Sequence, residues 1–246
     1  MARFNQQIGF PPFPPIVKNL IIINALIWVA ESFIGSHITE MMMNNFALHS
    51  MYSSHFKPWQ IFTYMFMHSP FDGSISDMGT LHILLNMLGL WMFGSQLEMS
   101  FGPKRFLLFY LVCGVGAGLI YLGYLQVDLH DIAQQYHNMK VSPYADAADI
   151  QQFSDIIDQT IIGASGAIYG ILAAFGYLFP NAYLLIYFII PLKAKWAVIA
   201  LLAYELYSVI FPSVGDDVGH VAHLGGALVG FLLIYFWNKK DRRHFY

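Results

Sequence analysis

The segment Thr160–Phe179 reads TIIGASGAIYGILAAFGYLF. It is apolar enough to sit in a lipid bilayer, yet near its start one small hydroxyl, Ser165, stands between Gly163 and Gly166. A serine in such a helix commonly bonds back to its own backbone. It can also face a polar group on a neighbouring helix. The rest of the chain decides between the two.

Of 246 residues, 57% are hydrophobic and 11% charged, with a mean hydropathy of +0.53. A soluble domain carries roughly 25% charged residues. Half that leaves too little polar surface for a globule in water, so the expected fold is all-α: a polytopic membrane helix bundle. The net charge of −3 gives no basic face, and no nucleic-acid partner is expected. The single cysteine, Cys113, lies in an apolar segment and reads as a small packing residue. Residues 1–15 have no apolar core of the signal-peptide kind, and Pro11, Pro12, Pro14 and Pro15 make them an extended N-terminal stretch.

A span needs about 20 mostly apolar residues. Six segments qualify: 16–34, 81–97, 106–125, 161–179, 196–211 and 221–237. The chain therefore divides into a cytoplasmic extension (1–15), one six-span domain (16–238) and a basic cytoplasmic tail (239–246). The stretch 181–191 is apolar but too short to span. It extends the fourth span, re-enters the membrane, or runs extended. The loop 35–80 is long and rich in aromatics, as in a segment lying at the membrane interface.

Charge placement gives the sidedness. Arg3, Lys18, Lys104, Arg105, Lys193, Lys195, Lys239, Lys240, Arg242 and Arg243 all fall on one side if six spans start from the cytoplasm. Only Lys57 and Lys140 fall on the other. The outer side receives the acidic loop 127–160 and the Asp216–Asp217 turn. This is the positive-inside pattern, with both termini cytoplasmic.

With sidedness fixed, intramembrane polar groups can be placed by depth. Ser165 falls about four residues into span four, roughly 6 Å below the outer boundary. His223 is a few residues into span six. His82 and Asn86, an i, i+4 pair, share one face of span two. Facing lipid, each would cost about 2 kcal/mol or more, so they should point inward. A neutral histidine can take a serine's proton, and an asparagine amide, a histidine N–H or a backbone N–H can hold an oxyanion. No acid falls in this layer, since Glu98 and Glu205 read as lying towards the inner and middle parts of their spans. The chemistry is a Ser165–His223 dyad. His82, His220 and His223 raise a metal, but no Cys or carboxylate joins them at ligand spacing, so no metal and no cofactor are expected.

Gly166 and Gly170 form a G-x-x-x-G in span four, and Gly226 and Gly230 another in span six. Such faces let backbones pack closely, which would bring Ser165 to His223. Each motif alone reads as packing, and Tyr169, on the face of Ser165, as core. Their common depth is what points to a site.

At these residues the chain resembles the rhomboid intramembrane serine proteases, over about Trp59 to Gly230. The family's G-x-S-G reads Gly163-Ala164-Ser165-Gly166, its histidine motif reads Ala222-His223-Leu224-Gly225-Gly226 with Gly230, and its H-x-x-x-N reads His82 to Asn86. The resemblance implies Ser165 as nucleophile and His223 as base, with His82 and Asn86 supporting the oxyanion. It implies that Tyr169 stacks on the histidine, that His68 is a loop histidine near the site and that Glu98 is structural. Where many members carry Trp-Arg in the first outer loop, this chain has Trp59-Gln60, which bears on loop geometry. The loop 127–160 is also long for the family.

The resemblance further implies a bacterial-type enzyme of the inner membrane. It would hydrolyse a peptide bond near the outer end of the transmembrane segment of membrane-anchored proteins. An inactive relative that binds client segments, and a small histidine-based transporter, are the alternatives. The first should have lost Ser165 or His223, and the second should show an internal repeat.

Overall fold

The computed structural model describes residues 12–71, 73–74, 78–141, 146–186, 190–212 and 219–240. Most of the N-terminal extension, the Asp216–Asp217 turn and the tail after Lys240 lie outside the described residues.

Helix α1 (Pro15–Phe33) starts where prolines end, with Pro15 at its first position. Its opening N–H groups are held from afar. Glu98 Oε1 and Oε2 accept from Ile16 N and Val17 N at 3.0 and 2.8 Å. A carboxylate at a helix N-terminus satisfies orphan donors and suits the dipole. The segment that follows α1 is largely structured. It carries α2 (Ser36–Phe46), β1 (Leu48–His49), α3 (Gln60–Thr63) and a 3-10 turn at Tyr64–Phe66.

The second apolar run is α4 (Met78–Gly89), a π-turn at Leu90–Gly94 and α5 (Ser95–Phe101). Gly89, Gly94 and Ser95 keep right-handed helical dihedrals, so the run is continuous. Gly102, at φ +78°, ends it, and Pro103 opens α6 (Pro103–Asp128). Helices α7 (His130–Val141) and α8 (Ala147–Ile157) lie between α6 and the fourth apolar run, and Asp146 caps α8 by accepting from Ala148 N at 2.8 Å.

Strand β2 (Thr160–Ile161) pairs antiparallel with β1, Leu48 opposite Ile161 and His49 opposite Thr160. Helix α9 is Ser165–Leu178. After it β3 (Tyr183–Ile186) pairs antiparallel with β4 (Ile190–Lys193), so the short apolar stretch left open by the sequence runs extended. Helices α10 (Ala194–Ile210) and α11 (His220–Lys240) complete the bundle.

Helix α9 lies at the centre and packs mainly on α11 and α6. Gly166, Ala167, Ile168, Gly170, Ile171, Ala174 and Phe175 are buried along it. It does not face lipid. The lipid-type surface lies elsewhere: Ile22, Ile23 and Leu26 of α1, and Ile199, Tyr207 and Ile210 of α10, are exposed. In water such a surface would drive association. In a bilayer it faces acyl chains. By length and composition α1, α6 and α11 are long and apolar enough to cross a membrane, and α9 is a shorter apolar helix.

Glycines set the α9–α11 approach. A side chain at Gly226 would run into the Gly166 carbonyl, and one at Gly230 would come within 2.5 Å of Gly170 Cα. Opposite them, a side chain at Gly170 would meet Cys113 Sγ at 2.6 Å. The two G-x-x-x-G faces meet backbone to backbone.

Candidate active site

Ser165 is the first residue of α9. The apolar pattern alone places it about a turn inside its span. Here 160–164 form a clamped, non-helical lead-in, and the helix starts later. The cause is local. Strand pairing occupies Thr160 and Ile161, and Gly163 adopts φ +119°, which no helix accommodates. Gly163 N donates to Tyr64 O at 2.9 Å, tying this turn to the 3-10 turn at Tyr64–Phe66. A helix start leaves its first N–H groups without intrahelical partners, and Ser165 is at that start. That is a ready place for a developing negative charge.

Ser165 Oγ lies 2.8 Å from His223 Nε2. His223 sits one turn into α11, and its backbone N donates to Gly219 O at 3.0 Å. The Tyr169 ring stacks on the imidazole, centroids 4.2 Å apart and planes 8° from parallel. Tyr169 and Ser165 are one turn apart on α9, so one helix presents both.

The expectation that no acid joins this layer is overturned. Glu205 of α10 is 3% exposed, and its Oε2 lies 3.1 Å from His223 Nδ1. The same oxygen lies 2.5 Å from His220 Nδ1, and Oε1 accepts from the Tyr169 hydroxyl. Glu205 is five residues from the C-terminal end of α10, about 8 Å. His223 is three residues into α11, about 5 Å. The difference is within reach of a glutamate side chain. The signal available was rarity, because an ionisable group inside a span marks a site by default.

The objection to a metal, that no carboxylate joins the histidines, fails as well. One ligand atom each from Glu205, His220 and His223 lie within 4.8 Å of one another. The two imidazole–carboxylate separations are hydrogen-bond distances, so protons suffice to account for the grouping.

His82 lies against the Gly163 turn: a Cβ at 163 would stand 2.8 Å from its Cε1 and Nε2 and 3.7 Å from Ser165 Oγ. Asn86 is placed differently. Its Nδ2 donates to His82 O at 2.9 Å, on its own helix. His68 is fully buried, its ring 5.3 Å from that of His82, and its backbone N donates to Glu31 Oε2 at 3.1 Å. Burial, reinforced by the neighbouring His82, pushes the His68 imidazole down to about 3, so it stays neutral at physiological pH.

Gln60, where an arginine was the usual residue, is buried and fully used. Its Oε1 accepts from Lys57 N at 3.1 Å and His49 N at 3.4 Å. Its Nε2 donates to His55 O at 2.8 Å and Asn44 O at 3.3 Å. A neutral amide knots the loop without a buried charge to neutralise.

Comparison with known proteins agrees with the motifs. The Rhomboid domain family model matches residues 55–240. The chain is 24% identical over 233 residues to the putative rhomboid protease YdcA of Bacillus subtilis, covering 94% of this chain and 92% of that one. It is 28% identical over 171 residues to the rhomboid protease AarA of Providencia stuartii, covering 67% and 53%. It is 28% identical over 214 residues to RHOMBOID-like protein 12, mitochondrial, of Arabidopsis thaliana, covering 87% and 56%. The chain thus spans only about half the length of the last two relatives. With three-quarters of its length inside the family model and multi-pass apolar helices around it, this chain belongs to the rhomboid family of membrane proteins.

Proposed function

We propose that the protein is a serine endopeptidase that cuts membrane-anchored proteins near the outer end of their transmembrane segments. The observation carrying this reading is the 2.8 Å approach of Ser165 Oγ to His223 Nε2 at the start of a buried helix. Two relatives, YdcA, named a putative rhomboid protease, and AarA, named a rhomboid protease, support it.

In this mechanism Ser165 Oγ attacks the scissile carbonyl carbon while its proton passes to His223 Nε2. The oxyanion is held by N–H groups at the start of α9, with the His82 ring beside the same turn. Collapse breaks the C–N bond, and His223 gives its proton to the leaving amine. A water, deprotonated by His223, then attacks the acyl-serine and releases the new carboxyl end and the free hydroxyl. An intact substrate helix hides its carbonyls in i to i+4 bonds, so cleavage favours segments that unwind.

The residues 16–238 act as one six-span unit with both termini in the cytoplasm of a bacterial cell. The segregation of Lys and Arg supports this orientation. It opens Ser165 towards the outer face.

A fluorophosphonate probe, which reacts only with an activated serine, tests the reading. The expected result is a single adduct on Ser165 by peptide mass mapping, lost in His223→Ala. A folded wild type with no adduct at Ser165 would sink it.

A further inference from the structure

We infer that Glu205 is the third member of the site: a positioning residue that fixes the tautomer and ring orientation of His223. The inference rests on the serine-protease reading above and extends it from a pair to a Ser–His–Glu constellation.

A carboxylate can only accept hydrogen bonds. At 3.1 Å from Glu205 Oε2, His223 Nδ1 is therefore the protonated nitrogen. That leaves Nε2 bare, 2.8 Å from Ser165 Oγ. A base that must take the serine proton needs this tautomer, and the other would present an N–H to the hydroxyl and remove nothing. When His223 gains the serine proton, the carboxylate stands beside the new positive charge. In a site shielded by apolar helices that interaction is worth more than in water.

The carboxylate is itself held from three directions. His220 Nδ1 donates to Oε2 at 2.5 Å, and the Tyr169 hydroxyl donates to Oε1. Tyr169 also stacks on His223, so one side chain clamps both partners of the Glu205–His223 bond. His220 and His223 are one turn apart on α11 and converge on one oxygen of α10. A buried glutamate without these donors would be a costly charge. With them it is satisfied, and its best-placed use is the imidazole that touches the serine. Ser165, Tyr169, Glu205, His220 and His223 form one connected network across α9, α10 and α11.

The test compares wild type, Glu205→Gln, Glu205→Asp and Ser165→Ala in liposomes with a single-span substrate. Glutamine keeps the shape, but its amide can donate to Nδ1 and favour the wrong tautomer. In Glu205→Gln kcat should fall on the order of 10²–10⁴-fold, with KM within about twofold. Glu205→Asp should recover part of the rate. Nitrogen NMR of histidine-labelled protein gives a readout independent of turnover. His223, assigned by its loss in His223→Ala, should be protonated at Nδ1 in the wild type and shift towards Nε2–H in Glu205→Gln.

An Nε2–H tautomer in the wild type overturns the inference even if no Glu205 variant folds. A folded Glu205→Gln with unchanged kcat overturns it as well. If wild type itself does not cleave, it is the protease reading that fails. If wild type cleaves and Ser165→Ala does not, that reading stands whatever Glu205 does.

Discussion

A methyl group at position 163 would stand 2.8 Å from both Cε1 and Nε2 of His82. The glycine two residues before the serine is thus needed twice, for its φ of +119° and for the space the imidazole fills. Gly163→Ala pays both penalties at about 1–3 kcal/mol each. We expect a folded protein, by circular dichroism, whose cleavage rate drops at least tenfold because the turn and His82 shift together. Unchanged activity would show that neither the turn nor the ring position matters to the site.

The α9–α11 contact makes a sharper stability prediction. Gly226→Ala forces a methyl into the Gly166 carbonyl, and two backbones cannot yield as a flexible side chain would. A loss of about 3 kcal/mol in detergent unfolding is expected. Gly123→Ala is the control. Nothing lies within 4 Å of its would-be Cβ, so it should stabilise by roughly 0.5–1 kcal/mol. Equal effects of the two substitutions would mean that close approach does not govern this interface.

Glu98 acts far from the chemistry. Its two oxygens accept the Ile16 and Val17 N–H groups at the start of α1. Glu98→Ala leaves both donors unpaired and should lower stability by about 1–3 kcal/mol. Activity per folded molecule should stay within about twofold of wild type. A large loss of kcat in protein that unfolds normally would place Glu98 in the working machinery instead.

Acid sensitivity follows from His68. Its folded-state value of about 3 lies below the ordinary 6.5, through burial first and the neighbouring His82 second. As pH falls below 6.5 the unfolded chain takes up a proton that the folded chain refuses. The stability tied to this group is therefore whole above 6.5 and is lost on the way down to 3. At pH 5 the loss is about 2 kcal/mol. Unfolding midpoints at pH 7.5 and pH 5 should show His68→Asn less acid-sensitive than wild type by that amount. An identical pH dependence in both proteins would remove His68 as the cause.

Much of this was legible in the residues. Apolar length and paired G-x-x-x-G stretches give the membrane helix bundle and its central contact. They work because a bilayer imposes length and side-chain rules that a single chain displays openly. Less legible was anything set by long-range pairing. Thr160 and Ile161 are as apolar as a helix start, and only β1, more than a hundred residues earlier, makes them a strand. Glu205 was misplaced because depth was counted along one helix, whereas the carboxylate meets its partners by side-chain reach across three. Asn86, expected beside the oxyanion, bonds one amide N–H to its own helix at His82 O, a local contact that i, i+4 spacing alone does not announce. Gln60 looked like a departure and proves to be a four-contact knot.

Whether Ser165 and His223 cut peptide bonds is decided by cleavage of a single-span substrate in liposomes by wild type, Ser165→Ala and His223→Ala, with fragments sized by mass spectrometry. We expect one cut near the outer boundary by wild type and none by either variant, with all three proteins folded. Cleavage that survives Ser165→Ala would contradict it.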